Sequence, residues 1–328
     1  MLSPLMMLAA IGAAAPAPPP PIAPTLSVLS YNVHGVPWPI AVHRPSALRQ
    51  IGETLAAMRR AGNQPNIVLL QEAFTKHAKQ IAKLGDYRFA VTGPTRHDRF
   101  GSPADSDQRS FSAHDRLAKG EHDGTIEDSG LLVLSDYPIV EVRRMPYPRF
   151  ACAGFDCLAN KGMLLVRVMV PGSAEPVDIV DTHMNSRGAS GVADARSDLA
   201  YHWQAQSLRQ FVTDNVPADA PAIVAGDLNI GVASDRLVDV TGSGGVLAGG
   251  IDAVRTAVGG AVANPDAAAT RAIADHNKDW MFGRSGTRTQ LLLESVTVPF
   301  GCRANGTMLS DHMGYIATYR VGRGAGRS

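Results

Sequence analysis

The chain is short of several things, and each shortage narrows what it can be. Its 328 residues include only three cysteines, none paired at zinc-ligand spacing, so a cysteine-built zinc site is excluded. Basic and acidic side chains nearly cancel, 31 against 30 for a net charge of +1, so there is no overall field to draw in nucleic acid non-specifically, although a local basic groove stays open. Aromatics make up only 6% of the residues, and no exposed aromatic hairpin can be picked out. No convincing internal repeat is present. The longest apolar run near the start, Leu5 to Ile11, is too short to span a membrane.

What is there supports a large core. At 45% hydrophobic, the length suits one big domain better than two small ones. Met1 to Ala15 carries no charged side chain, and its apolar run leads into Gly12, three alanines and the proline-rich tract Pro16 to Pro21. This pattern resembles a secretory signal without the usual early Lys or Arg, and it predicts an exported protein, periplasmic or secreted. The alternative is a disordered cytoplasmic tail. Residues 1–24 are therefore set apart from a catalytic domain at 25–322 and a flexible tail at 323–328. Cys152 and Cys157 lie close enough in sequence for a small loop-closing disulfide. Cys302 is left over and reads as a small buried apolar residue.

Short apolar runs alternate with helical stretches after the prolines. Strands are predicted at Leu26–Val33, Ile67–Leu70, Tyr87–Thr92, Gly130–Ser135, Gly162–Val170, Val177–Thr182, Ala222–Ala225 and Met313–Arg320. Helices are predicted at Ser46–Arg60, where Leu48, Ile51, Leu55 and Met58 recur at helical spacing before Gly62, at Lys76–Leu84, and at Asp194–Val212. Arg96–Asp128 and Thr241–Ala274 break the rhythm and read as long functional or mobile loops.

Several strand ends carry chemistry. In Ala225-Gly226-Asp227-Leu228-Asn229, a carboxylate and a carboxamide two residues apart point the same way on an extended segment. Asp227 then acts on a proton or water while Asn229 bonds a phosphoryl oxygen; alone, the pattern is an ordinary strand-to-turn signal. Leu309-Ser310-Asp311-His312 sets a carboxylate beside an imidazole, a pairing that serves general-base work. Glu72, after Ile67–Gln71, suits a hard cation such as Mg²⁺, although taken by itself it reads first as a solvated acid at a strand end, and Asn32 ends the first strand. His183 follows another apolar strand. Asp279, in Lys278-Asp279-Trp280-Met281-Phe282, is placed to hold an imidazole in one tautomer or is a surface turn acid.

Taken in chain order, these motifs resemble the endonuclease/exonuclease/phosphatase superfamily, which includes apurinic endonucleases, pancreatic deoxyribonuclease, inositol polyphosphate 5-phosphatases and neutral sphingomyelinases. The resemblance runs from about Leu26 to Val321. It implies an α+β fold, a four-layer α/β/β/α sandwich of two packed mixed sheets with flanking helices. It also implies a Mg²⁺-dependent phosphodiesterase, with Mn²⁺ or another divalent cation as the alternative. Glu72 would be the main metal ligand beside Asn32 and Asp311, Asp227 and Asn229 would position nucleophile and phosphate, and His312 would activate water. Asp279 would orient His312, and His183 would stabilise the transition state.

Leu158-Ala159-Asn160-Lys161-Gly162 and the strand after it are similar to an element of bacterial neutral sphingomyelinases, which favours a phospholipid headgroup over nucleic acid as substrate. Lys161 is either a phosphate-holding cation or a solvated turn residue. Trp38, between Pro37 and Pro39, either lines the substrate mouth or touches lipid, or packs down on the surface. The expected partners are a phosphoester substrate and a peripheral membrane contact, with the chain a monomer. The rival readings are a secreted nuclease, an inositol-phosphate phosphatase, and a silent lipid- or phosphate-binding protein.

Overall fold

Apolar residues at every second position of β1 (Thr25–Asn32) split its side chains between two environments. Leu26 and Val28 face one core, and Leu29 and Tyr31 face another. The same alternation organises two six-stranded sheets in the computed structural model, which describes residues 24–37, 41–101, 104–121 and 123–324. The first sheet also holds β2 (Ile67–Gln71), β3 (Phe89–Thr92) and β4 (Leu132–Ser135), together with β11 (Thr289–Phe300) and β12 (Gly314–Arg323). Its order is β11-β12-β1-β2-β4-β3. The second holds β5 (Ile139–Pro146), β6 (Gly162–Val168), β7 (Val177–His183), β8 (Ala222–Asp227), β9 (Ile251–Asp252) and β10 (Asp279–Arg284), in the order β5-β6-β7-β8-β10-β9. Each sheet is mixed, since β1–β2 and β7–β8 pair in parallel and the other pairings are antiparallel.

Residues from both sheets, among them Val28, Leu69, Val166, Ile179, Ala225 and Ala317, form the central core between them. On the outer face of the first sheet pack α1 (Arg44–Arg60), α2 (Lys76–Lys79) and α3 (Ile81–Leu84), through Leu48, Ile51, Leu55 and Ile81. On the outer face of the second sheet lies α6 (Asp194–Asn215), which buries Tyr201, Leu208 and Phe211 against Met163, Leu165, Val180 and Val224. Each fully buried side chain of this kind contributes about 1.5–3 kcal/mol through area removed from water. The result is the four-layer α/β/β/α arrangement. The remaining helices are α4 (Ser106–Ala113), α5 (Arg187–Ser190), α7 (Ser234–Thr241), α8 (Ala253–Val258) and α9 (Ala267–His276).

Several expectations need correcting. Thr241–Ala274 is not a loop: it contains α8 and most of α9, whose alanines favour helix over coil. Arg96–Asp128 likewise holds α4, started by a capping box in which Asp105 and Gln108 satisfy each other's backbone amides. Cys302 is exposed rather than buried, because it sits in the polar turn after β11. The helix expected over Lys76–Leu84 is broken at Gln80 into α2 and α3, and β5, β9, β10 and β11 are additional strands. Cys152 and Cys157 are joined in a disulfide with a Cα–Cα distance of 5.2 Å. Residues 1–23, and Trp38 with them, lie outside the described residues. Among the described residues no helix is long and apolar enough to cross a membrane.

Candidate active site

The polar site grows out of the central core by continuation of the same rows. In β1 the inward row Leu26, Val28 runs on to Ser30 and Asn32. In β2, Ile67 and Leu69 are followed by Gln71, and in β7, Val177 and Ile179 by Asp181 and His183. Ile223 and Ala225 of β8 lead to Asp227, and in β10 Asp279 precedes the inward Met281. Register brings these ends together, for Asn32 pairs with Gln71, and Asp227 lies between His183 and Asp279. Five strands thus deliver polar side chains to one end of the sandwich.

Two backbone features finish the arrangement. Gly226 has φ +141°, and a Cβ there would lie 1.9 Å from the Thr182 carbonyl oxygen, so only glycine lets β8 approach β7 in this way. Glu72 has φ +56°, a left-handed conformation that costs on the order of 1–2 kcal/mol for a residue with a Cβ. That kink after β2 brings its carboxylate to Asn32. Backbone strain of this kind concentrates at functional sites.

Nδ2 of Asn32 donates to Oε1 of Glu72 at 3.0 Å and to Oδ2 of Asp227 at 2.9 Å, while its Oδ1 accepts from the His34 amide. Both His183 Nε2 and His312 Nε2 lie 3.6 Å from that same Asp227 oxygen. Nδ1 of His312 meets Oδ2 of Asp279 at 2.8 Å, leaving the other Asp279 oxygen buried and unpartnered. The amide of Asn229 donates to Oδ1 of Asp227, and its Nδ2 to the Met184 carbonyl at 3.0 Å. Asp227, Asn229, His183, Asp279 and His312 are all buried, yet Glu72, Lys161, His183, Asp227, Asn229, Asp311 and His312 line one cleft of about 460 Å³.

Burial sets the charge states. It pushes the Asp227 carboxyl up to about 6, against the pull of His312. Burial alone would lower His312, but the carboxylates of Asp279 and Asp227 outweigh it and raise the ring to about 10. Because these groups face one another, the protons belong to the Asp227–His312–Asp279 set rather than to one residue. His183 is held well below its usual range by burial and by the Lys161 charge, so its ring is neutral. Asp311 is opposed by burial but held well below the carboxylate range by His34, whose Nδ1 lies 3.0 Å away.

A divalent cation fits the donor set around Glu72. Single ligand atoms of Glu72, His183 and Asp227 lie within 4.8 Å of one another, and the two carboxylates supply the oxygen donors a hard cation prefers; Asn32 bridges them through Nδ2, its Oδ1 being turned to the His34 amide. The structure brings together Glu72 and Asn32 as the sequence predicts and adds Asp227. Asp311 is not part of that cluster and is engaged by His34.

Lys161 is not the solvated turn residue of one sequence reading: it is only 6% exposed. Its ammonium contacts Asp156 at 2.9 Å, the Met184 carbonyl at 3.0 Å and His183 Nε2 at 3.2 Å. The Met184 carbonyl and His183 Nε2 take two of its protons and Asp156 pairs with its charge, so it can act on a bound phosphate through charge and through the His183 tautomer. Because a lysine can only donate, His183 Nε2 is the acceptor.

Sequence reasoning missed the supports. Arg236, 1% exposed, donates to Asp198, Ser197 and the carbonyls of Asn185 and Asn229, fixing the backbone beside Asp227. Arg44 ties the His34 and Val33 carbonyls to that of Leu309, joining the turn after β1 to the Asp311–His312 segment. Gln71 donates to Asp181 at 2.7 Å and so links the two sheets beneath the site. An arginine in an amphipathic helix carries no sequence signal that separates these roles from a solvated one. The polar residue ending the β2 row was a usable signal for Gln71.

Comparison with known proteins agrees with this architecture. The family model described as Endonuclease/Exonuclease/phosphatase family matches residues 29–312, and the chain belongs to that family. Sphingomyelinase C of Listeria ivanovii is 25% identical over 181 residues, covering 53% of this chain and 48% of the relative. Phospholipase C of Staphylococcus aureus is 29% identical over 135 residues, 40% of this chain and 39% of the relative. The chain thus spans about half or less of these curated relatives. Among solved structures, a beta toxin variant from Staphylococcus aureus with bound magnesium ions superposes with a TM-score of 0.59 at 18% identity, covering 90% of this chain and 99% of the other. Sphingomyelinase C from Streptomyces griseocarneus gives 0.57 at 22% identity, with 90% and 99% covered. Likeness at this identity shows the fold.

Proposed function

We propose that this member of the endonuclease/exonuclease/phosphatase family is a phosphodiesterase that depends on a divalent cation, Mg²⁺ in the first instance, and attacks a phosphoester in line with water. The convergence of Glu72, Asp227, His183 and His312 on one cleft, with Asn32 and Asp279 bonded behind them, carries this reading. Glu72 and Asp227 hold the cation, Asn32 positions the two carboxylates, and Asp311 in the same cleft completes its shell through water. When bound, the cation neutralises charge building on the phosphoryl oxygens.

The chain's own residues do the rest. Asp227 and His312 together take the proton leaving the attacking water, since Oδ2 and Nε2 face each other at 3.6 Å. Asp279 holds the His312 ring by its Nδ1. Asn229, anchored on the Met184 carbonyl, offers its remaining amide hydrogen to a phosphoryl oxygen. Lys161, whose ammonium lies 3.2 Å from His183 Nε2, supplies the positive charge behind the charge that develops in the transition state, with His183 held beside it.

A phospholipid headgroup of the sphingomyelin type is the favoured substrate. The names of the relatives support it, and the net charge of +1 gives a polyanion little to hold. The protein acts after export, as a monomer in peripheral contact with lipid. The test incubates the purified chain with sphingomyelin vesicles, lysophospholipid, duplex DNA and inositol phosphates, with Mg²⁺ and with chelator. Phosphocholine release that chelator stops and Asp227→Ala abolishes is expected. DNA cleavage without lipid turnover overturns the substrate, and substantial activity in Asp227→Ala overturns the mechanism.

A further inference from the structure

A second group of ligand-type atoms stands beside the first. His276, at the end of α9, together with Asp279 and His312, offers one ligand atom each within 4.8 Å of one another. The His276 ring is exposed, lies edge-on to His312 with centroids 5.4 Å apart, and makes no hydrogen bond among the described residues. Asp279 is 4% exposed, and its Oδ1 is buried with no partner while Oδ2 holds His312. The site therefore contains two imidazoles and an unsatisfied carboxylate oxygen. Among the described residues no hydrogen bond accounts for that oxygen or for the His276 ring.

The donor chemistry differs from that around Glu72. Two imidazole nitrogens and a carboxylate form the set that Zn²⁺ and other late first-row ions prefer, whereas Mg²⁺ prefers oxygen. Metal–ligand bonds of roughly 2.0–2.1 Å in a tetrahedral site put ligand atoms about 3.3 Å apart. The ligand atoms have to draw together by at most about 1.5 Å from their 4.8 Å limit, and the exposed His276 ring is the member that no hydrogen bond among the described residues holds.

We propose that His276, Asp279 and His312 form a second metal site selective for Zn²⁺ or a similar imidazole-preferring ion. Its occupation takes His312 out of the reaction: the ion binds where the ring carried a proton, and that proton passes to solvent. The site itself rests on geometry, and only the inhibitory consequence rests on the proposed function. Zn²⁺ then inhibits in a way that added Mg²⁺ does not relieve.

The test measures Zn²⁺ binding by equilibrium dialysis, and Co²⁺ binding by visible absorption, on the intact chain in excess Mg²⁺. One tight equivalent is expected, weakened at least ~10-fold in His276→Gln, restored in His276→Cys and retained in Glu72→Gln. Equal Zn²⁺ affinity in wild type and His276→Gln overturns the site, as does loss of binding in Glu72→Gln. In the rate arm, His276→Gln keeps the basal Mg²⁺-supported release of phosphocholine and escapes Zn²⁺ inhibition. Equal inhibition of both proteins overturns the consequence. If neither protein turns over any substrate, the functional reading fails, while the binding arm still decides the site.

Discussion

Replacing Lys161 with methionine tests whether a buried ion pair supports the site. The ammonium and the Asp156 carboxylate are 6% and 10% exposed and 2.9 Å apart, so removing the cation strands an anion in a poorly solvated position. Loss of one partner of such a pair costs about 3–5 kcal/mol. The lower end applies here. Asp156 keeps the Ser186 amide as a donor, and the Met184 carbonyl keeps Asn229, so neither is orphaned. With a urea m-value of about 3 kcal/mol/M, a loss of about 3 kcal/mol lowers the unfolding midpoint by about 1 M. Asp156→Asn leaves the ammonium unpaired and costs a similar amount. The double variant Lys161→Met/Asp156→Asn leaves no stranded charge, so its loss falls short of the sum of the singles by about 2 kcal/mol. Urea denaturation of the four proteins measures the cycle. Additive losses, or a single variant within about 1 kcal/mol of wild type, refute the view that the pair is desolvated and coupled.

Three other outcomes follow from the same structure. Gly226→Ala forces a Cβ to within 1.9 Å of the Thr182 carbonyl at φ +141°, so it should cost about 3 kcal/mol or more by thermal or urea unfolding; a wild-type melting curve would show that β7 and β8 can separate freely. Asp279→Asn keeps the shape but weakens the hold on His312, lowers the ring's basicity and should reduce kcat about 10²-fold with an unchanged circular dichroism spectrum; full activity removes Asp279 from the mechanism. Burial raises the Glu121 carboxyl, but Arg196 and the amides of Arg116 and Gly154 outweigh it and hold it below its usual range. Its stabilising effect is therefore complete above its unfolded-state value of about 4.3 and is lost as pH falls through the lower folded value, so Glu121→Gln should flatten the acid limb of stability against pH, and an unaltered limb counts against the tether.

Much of the fold was legible because its strands are ordinary alternating or continuous apolar runs. Leu26–Val33 and Val177–Thr182 advertise a sandwich interior, and their observed ends at Asn32 and His183 differ by a residue. The missed strand β11 has the sequence Thr-Gln-Leu-Leu-Leu-Glu-Ser-Val, where three successive leucines hide the alternation and a register shift between Leu293 and Ser295 breaks it. Composition misled in α8 and α9, because glycines around them suggested coil while the alanines within them form helix. Cys302 was misjudged by residue type alone: cysteine is usually buried, but this one lies in a turn among Arg303, Ala304 and Asn305.

The site divides along a different line. Asn32 and Asp227 could be placed from sequence because they end predicted strands, whose periodicity fixes which way they point, whereas Asp279 opens the unpredicted β10 and its role came from the family resemblance. Residues that work by reaching across the fold could not. Arg236 lies seven positions beyond Asn229 but on a helix whose polar face gives no sign that its guanidinium turns inward, and Arg44 acts on carbonyls at positions 33, 34 and 309. Lys161 shows why the distinction matters for chemistry. As a position in a turn it could be a free cation or a solvated one, yet the loop closed by Cys152–Cys157 carries Asp156 to it and converts it into a buried, paired charge. A lysine paired in this way is less free to grip a phosphate than an unpaired one. It fixes His183 as an acceptor at Nε2 and holds a positive charge behind it, so recognition of the substrate's phosphate draws also on donors such as the second Asn229 amide hydrogen, whose companion is spent on the Met184 carbonyl.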